Sequence, residues 1–257
     1  MAVVGRVGLF IVACAVMVAV AAPFGTKLPG HWPEVVIGTI AAFGAFALTA
    51  VFVRWEKLRM DDIGATPDVR SPVRLAIGFA GGLLLVAAWA LIEVAAGQMR
   101  WVRAPGPELT SGAIVLIGYL ALSCREELAF HGYPLRRLQS RFGVWPAQLM
   151  VAAAFTIEHR VGGWPWTDAL LGAGVGSLLF GMAAIASRGL AVPIGLHAAW
   201  NFGQWALGLR GSPGIWRSIV PEGNHLVGMM IYVAVFGTVT IAIGLWHRRS
   251  VRSAIVS

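Results

Sequence analysis

The stretch Leu109–Phe130, LTSGAIVLIGYLALSCREELAF, decides the fold. Its apolar part approaches the roughly 20 residues that a helix needs to cross a hydrocarbon layer of about 30 Å. Yet it closes on Arg125, Glu126 and Glu127. A charged side chain at mid-bilayer depth opposes insertion by roughly 2.5–3.5 kcal/mol, and such groups persist where they face a bundle interior or a water-filled cavity. The stretch therefore predicts a membrane helix that delivers carboxylates to a shielded, polar interior.

The rest of the chain agrees. Of 257 residues, 58% are hydrophobic and 12% charged, against about 25% charged in an ordinary soluble domain. Seven further apolar runs have spanning length or close to it: Arg6–Pro23, Glu34–Val53, Leu75–Ala96, Val144–Glu158, Asp168–Ser187, Leu190–Leu209 and Leu226–Trp246. The expected fold is all-α, a polytopic bundle of about eight transmembrane helices. Its connections are too short for a second soluble domain, so residues 1–257 read as a single integral membrane domain. The loop from Arg54 to Arg74 has turn-forming composition and mixed charge, and reads as a solvated connection with a short surface helix. Gly172-Ala-Gly-Val-Gly176 supplies small residues four apart, which lets a neighbouring helix approach closely.

Orientation follows from the basic residues, because cytoplasmic loops carry the excess. With the N-terminus inside, thirteen Lys and Arg fall on that side and six on the other, with Arg125 inside a span. Both termini are therefore expected in the cytoplasm. The net charge of +8 is spread over short loops beside apolar runs, a pattern that favours anionic lipid headgroups over nucleic acid. Cys14 and Cys124 lie in separate spans without metal-ligand spacing and read as buried free thiols. Ala19-Val20-Ala21 after the first apolar run resembles a signal-peptide cleavage site, and Ile11–Cys14 more faintly a lipidation box.

Within the spans, a few polar residues stand at helical spacing. Glu126 and Glu127 are about 100° apart around a helix, so they serve different purposes. Glu127 and His131 lie one turn apart on one face, leaving Glu126 free to face a cavity. The plainer alternative puts both glutamates at the interface, paired with Arg125, Arg136 or Arg137. Phe155 and His159 repeat the four-residue spacing. His159 falls at the outer end of its span while Glu126 lies near the inner end of the preceding one, so a tilted, broken or deeper helix is needed to bring them level; otherwise His159 is an interfacial histidine. His197 and Asn201 sit mid-span on one face, as interhelical hydrogen-bonding glue or as part of a site.

In this order, Glu126-Glu127 with His131, Phe155 with His159, and His197 with Asn201 resemble the CAAX protease and bacteriocin-processing family of intramembrane proteases, the type II CAAX prenyl endopeptidases. The family pattern is E-E-x-x-x-R, then F-x-x-x-H, then H-x-x-x-N or H-x-x-x-D on successive membrane helices. The resemblance covers about residues 109–205. It departs at His131, which stands where the family has an arginine that steadies the second glutamate; histidine keeps the spacing but carries charge only when protonated.

The resemblance implies peptide-bond hydrolysis by an activated water. The catalytic set is then Glu126, Glu127, His159, His197 and Asn201, supported by His131 and Phe155. Glu126, with His159, takes the proton from water, and His197 with Asn201 stabilises the developing negative charge. A metal variant uses Glu126, His159 and His197 as an O, N, N ligand set for Zn²⁺. The expected substrate is a membrane-embedded or prenylated peptide or protein, and the Gly, Ala, Val and Trp-rich composition looks bacterial, which implies the plasma membrane and a non-prenylated substrate. Two rivals remain: a non-proteolytic scaffold or bacteriocin-immunity protein of the same fold, favoured by His131, and a transporter using Glu126, His159 and His197 as a proton relay. The chain has no H-E-x-x-H or G-x-S-x-G motif.

Overall fold

The computed structural model describes residues 2–104, 109–210, 214–221 and 223–256. The protein is an all-α bundle. Its helices are α1 (Ala2–Gly25), α2 (Trp32–Trp55), α3 (Ser71–Ala95), α4 (Leu109–Glu126), α5 (Tyr133–Phe142), α6 (Val144–Val161), α7 (Val175–Ser187), α8 (Ala191–Ala206) and α9 (His225–Val256). Two π-helical segments, Glu127–Gly132 and Asp168–Gly174, lead directly into α5 and α7. Short strands β1 (Arg100–Arg103) and β2 (Trp216–Ile219) pair antiparallel.

All eight expected spans coincide with helices. Five described helices are long and apolar enough to cross a membrane: α1, α2, α3, the continuous helix Asp168–Ser187, and α9. The chain is an integral membrane protein. Large apolar side chains are exposed along the outer helices, as at Leu9, Val12, Val16 and Val20 on α1. Lipid tails are as apolar as these residues, so the exposure costs nothing in a bilayer.

The fourth span does not end at Phe130. Pro134 has no N–H to offer the Phe130 carbonyl, and its ring crowds that carbonyl. The helix widens into the π-helical turn Glu127–Gly132, bends at Gly132 and continues to Phe142. Gly143, with φ +85°, then reverses the chain. Sixteen residues separate Glu126 from Gly143 and fifteen separate Gly143 from His159. Glu126 and His159 therefore lie at similar distances from the reversal, which brings them level.

Close helix contacts rest on small residues. A Cβ on Gly82 of α3 would stand 2.6 Å from both the Ala199 Cβ and the Leu196 carbonyl of α8, whereas neighbouring Gly81 faces open space. Gly78, Gly195 and Gly203 extend the same seam between α3 and α8. On the helix pair α2 and α4, Gly38 faces Leu122 and Gly118 faces Glu34. The glycines of the 172–176 run serve two neighbours, Gly174 against Thr156 of α6 and Gly176 against Tyr232 of α9.

The loop between α2 and α3 holds a 3₁₀ turn at Met60–Ile63, and the Gly64 carbonyl accepts the Leu190 N–H at the start of α8. Glu56, just after α2, accepts the Tyr133 hydroxyl at 2.9 Å and pairs with Arg6 and Arg137, tying α1, α2 and α5 together. Cys14 is buried and Cys124 half-buried, both as free thiols. Two apolar clusters result. One gathers α1, α2, α5 and α6 around Phe10, Phe52, Phe130 and Tyr133, and the other gathers α3, α7, α8 and α9 around Trp89, Phe180, Trp200 and Phe236.

The α3–α8 seam makes a direct prediction. Gly82→Ala should lower stability by about 1–3 kcal/mol, the usual result of overpacking, because the intruding methyl meets backbone on α8. Gly81→Ala should leave stability unchanged or raise it slightly, because alanine is the better helix former. Thermal unfolding midpoints of the two variants in one detergent check the contrast.

Candidate active site

The π-helical turn presents Glu127 and His131 inward, where both are fully buried. Glu127 Oε2 lies 2.7 Å from His131 Nδ1, and Glu127 Oε1 lies 2.9 Å from His197 Nδ1 on α8. A carboxylate only accepts hydrogen bonds, so both ring nitrogens donate to it. One acid thus fixes two imidazoles that are 66 residues apart in sequence. His131 completes its bonding through Nε2, 3.1 Å from the Ser177 hydroxyl on α7. With Nδ1–H donating to Glu127 and Nε2 accepting from Ser177, a neutral imidazole is fully satisfied here.

Glu126 points the other way, into a cavity of about 710 Å³. His159, His197, Asn201 and Phe155 line the same space. Glu126 Oε2 stands 3.5 Å from His197 Nε2, so the His197 ring lies between the two adjacent carboxylates. Phe180 stacks on that ring at 4.1 Å between centroids and fixes its plane.

His159 is held by its own helix. Its Nδ1 lies 3.0 Å from the Phe155 carbonyl oxygen, which can only accept, so Nδ1 carries the hydrogen and Nε2 of the neutral ring keeps a lone pair. Phe155 and Trp164 pack against the ring at 4.4 and 4.8 Å. Phe155, buried between the two histidines, also contacts Phe130 edge to face. Its role is to support the imidazoles.

Two arginines complete the site, and the motif reading had given neither a place in it. Arg125 is buried between α4 and α6, where it pairs with Glu158 and comes within 3.5 Å of Glu126. The interfacial alternative is thereby half met: Glu126 does have Arg125 beside it, but Glu127 is enclosed and Arg136 and Arg137 are engaged with Ala184 and Glu56. Arg210, four residues beyond α8, lines the cavity, donates to the Asn201 Oδ1 and lies over the Tyr119 ring. With its oxygen so occupied, Asn201 has its amide N–H groups left to offer. The signal for both arginines was charge beside an apolar run, which names no partner.

The structure therefore brings Glu126, His159, His197 and Asn201 to one cavity and sets Glu127 and His131 behind it. Glu127 does not line the cavity and reaches it through His197, so its part is positioning. Among the described residues no three His, Cys, Asp or Glu side chains are gathered closely enough to hold a metal ion. The expected ligand set of Glu126, His159 and His197 has suitable donor atoms, with each ring's Nδ1 fixed by an outer partner as metal-binding histidines require. It does not form a coordination group as it stands.

The cavity opens at one end of the bundle, between the segments that join α3 to α4, α6 to α7 and α8 to α9. The β1–β2 ribbon links two of these segments, with Trp101 Nε1 donating to the Ser218 hydroxyl and Ser218 to the Leu207 carbonyl. The opposite end carries the α1 N-terminus and the α9 C-terminus.

No match to a curated protein was found over the chain. Residues 108–203 match the family model described as type II CAAX prenyl endopeptidase Rce1-like. That segment contains Glu126, Glu127, His131, Phe155, His159, His197 and Asn201, and over it the chain is similar to the type II CAAX prenyl endopeptidases.

Proposed function

We propose that the protein is an intramembrane endopeptidase that hydrolyses a peptide bond with a water activated by Glu126. The observation that supports this most directly is the His197 ring, held by Glu127 on one side and facing Glu126 across the cavity on the other. Glu126 accepts a proton from water, and the His159 Nε2 lone pair is a second acceptor in the same cavity. The hydroxide so formed attacks the scissile carbonyl, and the proton passes to the leaving amine as the tetrahedral intermediate collapses. Asn201 donates to the oxyanion from its amide nitrogen, which Arg210 orients by engaging the oxygen. His197 donates from Nε2 when protonated, with Glu126 and Glu127 as its counter-charges.

His131 supports the catalytic reading. The family's arginine at this position is replaced by a histidine whose two nitrogens are both satisfied, so Glu127 keeps its partner without a fixed charge. The substrate class in this reading is a peptide or protein segment embedded in the membrane. A Zn²⁺ site built from Glu126, His159 and His197 is the variant of the same chemistry in which the metal would lower the pKa of the attacking water. The hydrolysis described here uses the chain's own groups.

The distribution of Lys and Arg supports both termini in the cytoplasm, and in that orientation the cavity opens toward the opposite face.

Three outcomes are expected. Glu126→Gln and His159→Ala should each lower cleavage of a reporter peptide by about 10²–10⁴-fold, and Asn201→Ala by about 10²–10³-fold, with membrane expression unchanged. Full partner binding or immunity by variants that have lost those groups, together with no cleavage by the native protein, would make the chain a scaffold. Fluorescent-protein fusions at either terminus should fluoresce while alkaline phosphatase fusions stay inactive; the reverse pattern overturns the orientation. Elemental analysis of purified protein should find substoichiometric zinc, with activity retained after chelation, and a stoichiometric metal whose removal abolishes cleavage would assign the metal variant.

A further inference from the structure

Glu93 sits two residues from the end of α3 with 1% of its surface exposed. Its carboxylate lines the same cavity as Glu126. Every Lys, Arg and His of the chain lies among the described residues, and none pairs with Glu93; its Oε1 is buried without a hydrogen-bond partner. The Trp89 N–H is directed at the carboxylate but carries no charge, and a buried carboxylate without a counter-charge is costly in an apolar interior. Gly228 of α9 faces it, where an added Cβ would stand 3.2 Å from Oε2. The glycine leaves the carboxylate room on that side.

The surroundings are aromatic. Trp89, one helical turn earlier on α3, packs against Trp200 at 5.3 Å between centroids, and Trp200 against Tyr232 at 5.4 Å. All three line the cavity. Aromatic rings lining one cavity with a carboxylate that has no counter-charge are a combination that holds an organic cation: the carboxylate supplies the charge and the rings supply cation–π attraction. An anion would be repelled, and a neutral apolar group would leave the carboxylate unpaired.

We propose that Glu93, with the rings of Trp89, Trp200 and Tyr232, forms a subsite that receives a lysine or arginine side chain of the peptide substrate. The inference rests on the hydrolase reading for its substrate and adds a specificity that the reading does not contain. Trp200 immediately precedes Asn201 and follows His197 by three residues, so the subsite adjoins the reacting end of the cavity. The basic residue therefore occupies one fixed position relative to the scissile bond.

The test uses the full chain in detergent and a mixture of random decapeptides, with cleavage sites aligned by mass spectrometry. Lys and Arg should be favoured over norleucine by about tenfold or more at one fixed position, as a charge-assisted contact commonly gives. In Glu93→Gln this preference ratio should fall to near one, whatever the total rate. A second arm needs no cleavage: with Glu126→Gln protein, tryptophan fluorescence should report about tenfold tighter binding of a lysine peptide than of its norleucine counterpart. That difference should vanish when Glu93→Gln is added. Cleavage with no basic preference, or with a preference that survives Glu93→Gln, overturns the subsite and leaves the hydrolase standing. A binding preference that depends on Glu93 in a protein that cleaves nothing supports the subsite and overturns the hydrolase. Neither cleavage nor preferential binding overturns both.

Discussion

The carboxylate of Glu127 is the constraint on which the site depends. It is wholly enclosed, and a carboxylate in that position must have its lone pairs met by donors. The two donors come from separate parts of the chain, His131 within the same π-helical turn and His197 on α8. Satisfying this one group therefore docks α8 against the end of α4. It also fixes which nitrogen of His197 faces the cavity, because Nδ1 is committed to Glu127. Removing either imidazole would expose the remaining acid to an unmet desolvation cost, so the arrangement is an all-or-none unit of folding as well as of geometry.

Around that unit, the packing is built so that α8 can come close enough. The seam of Gly78 and Gly82 on α3 against Gly195, Ala199 and Gly203 on α8 brings backbones together without side chains between them. In a bilayer such contacts carry helix association, because lipid offers no hydrophobic gain for burying apolar side chains. On the other flank, Gly181 leaves room beside the His131 ring, where an added Cβ would lie 3.0 Å from His131 Cδ2. Small residues thus decide the site's geometry while contributing no chemistry to it.

Relations within one helix were legible in the sequence because spacing alone fixes them. Glu127 with His131, Phe155 with His159 and His197 with Asn201 are each separated by four residues, and a helix puts each pair on one face. Relations between helices were not legible, since they depend on which faces meet. Arg125 with Glu158 and Arg210 with Asn201 carry no periodic signal, and Arg210 stands outside any apolar run. Nor does the sequence show how the helix continues past the charges at 125–127: it widens over Glu127–Gly132, ahead of Pro134, and runs on to Phe142. Composition identified the bundle. The order of the three motifs identified the segment that the family comparison also matches.

Polar groups without a protein partner are rare in folded interiors, and here their placement is informative. Glu93 Oε1 and Arg210 Nε are both buried without a hydrogen-bond acceptor or donor, and both residues line the cavity. The groups behind the cavity, Glu127, His131 and Ser177, are by contrast fully engaged. The groups that set the geometry of the site are thus satisfied by the protein itself, while Glu93 and Arg210 each bring an unpartnered atom to the cavity residues. An acid and a guanidinium left open on the walls of one chamber suit an occupant that carries both hydrogen-bonding backbone and a charged side chain. A peptide, as proposed above, meets that description.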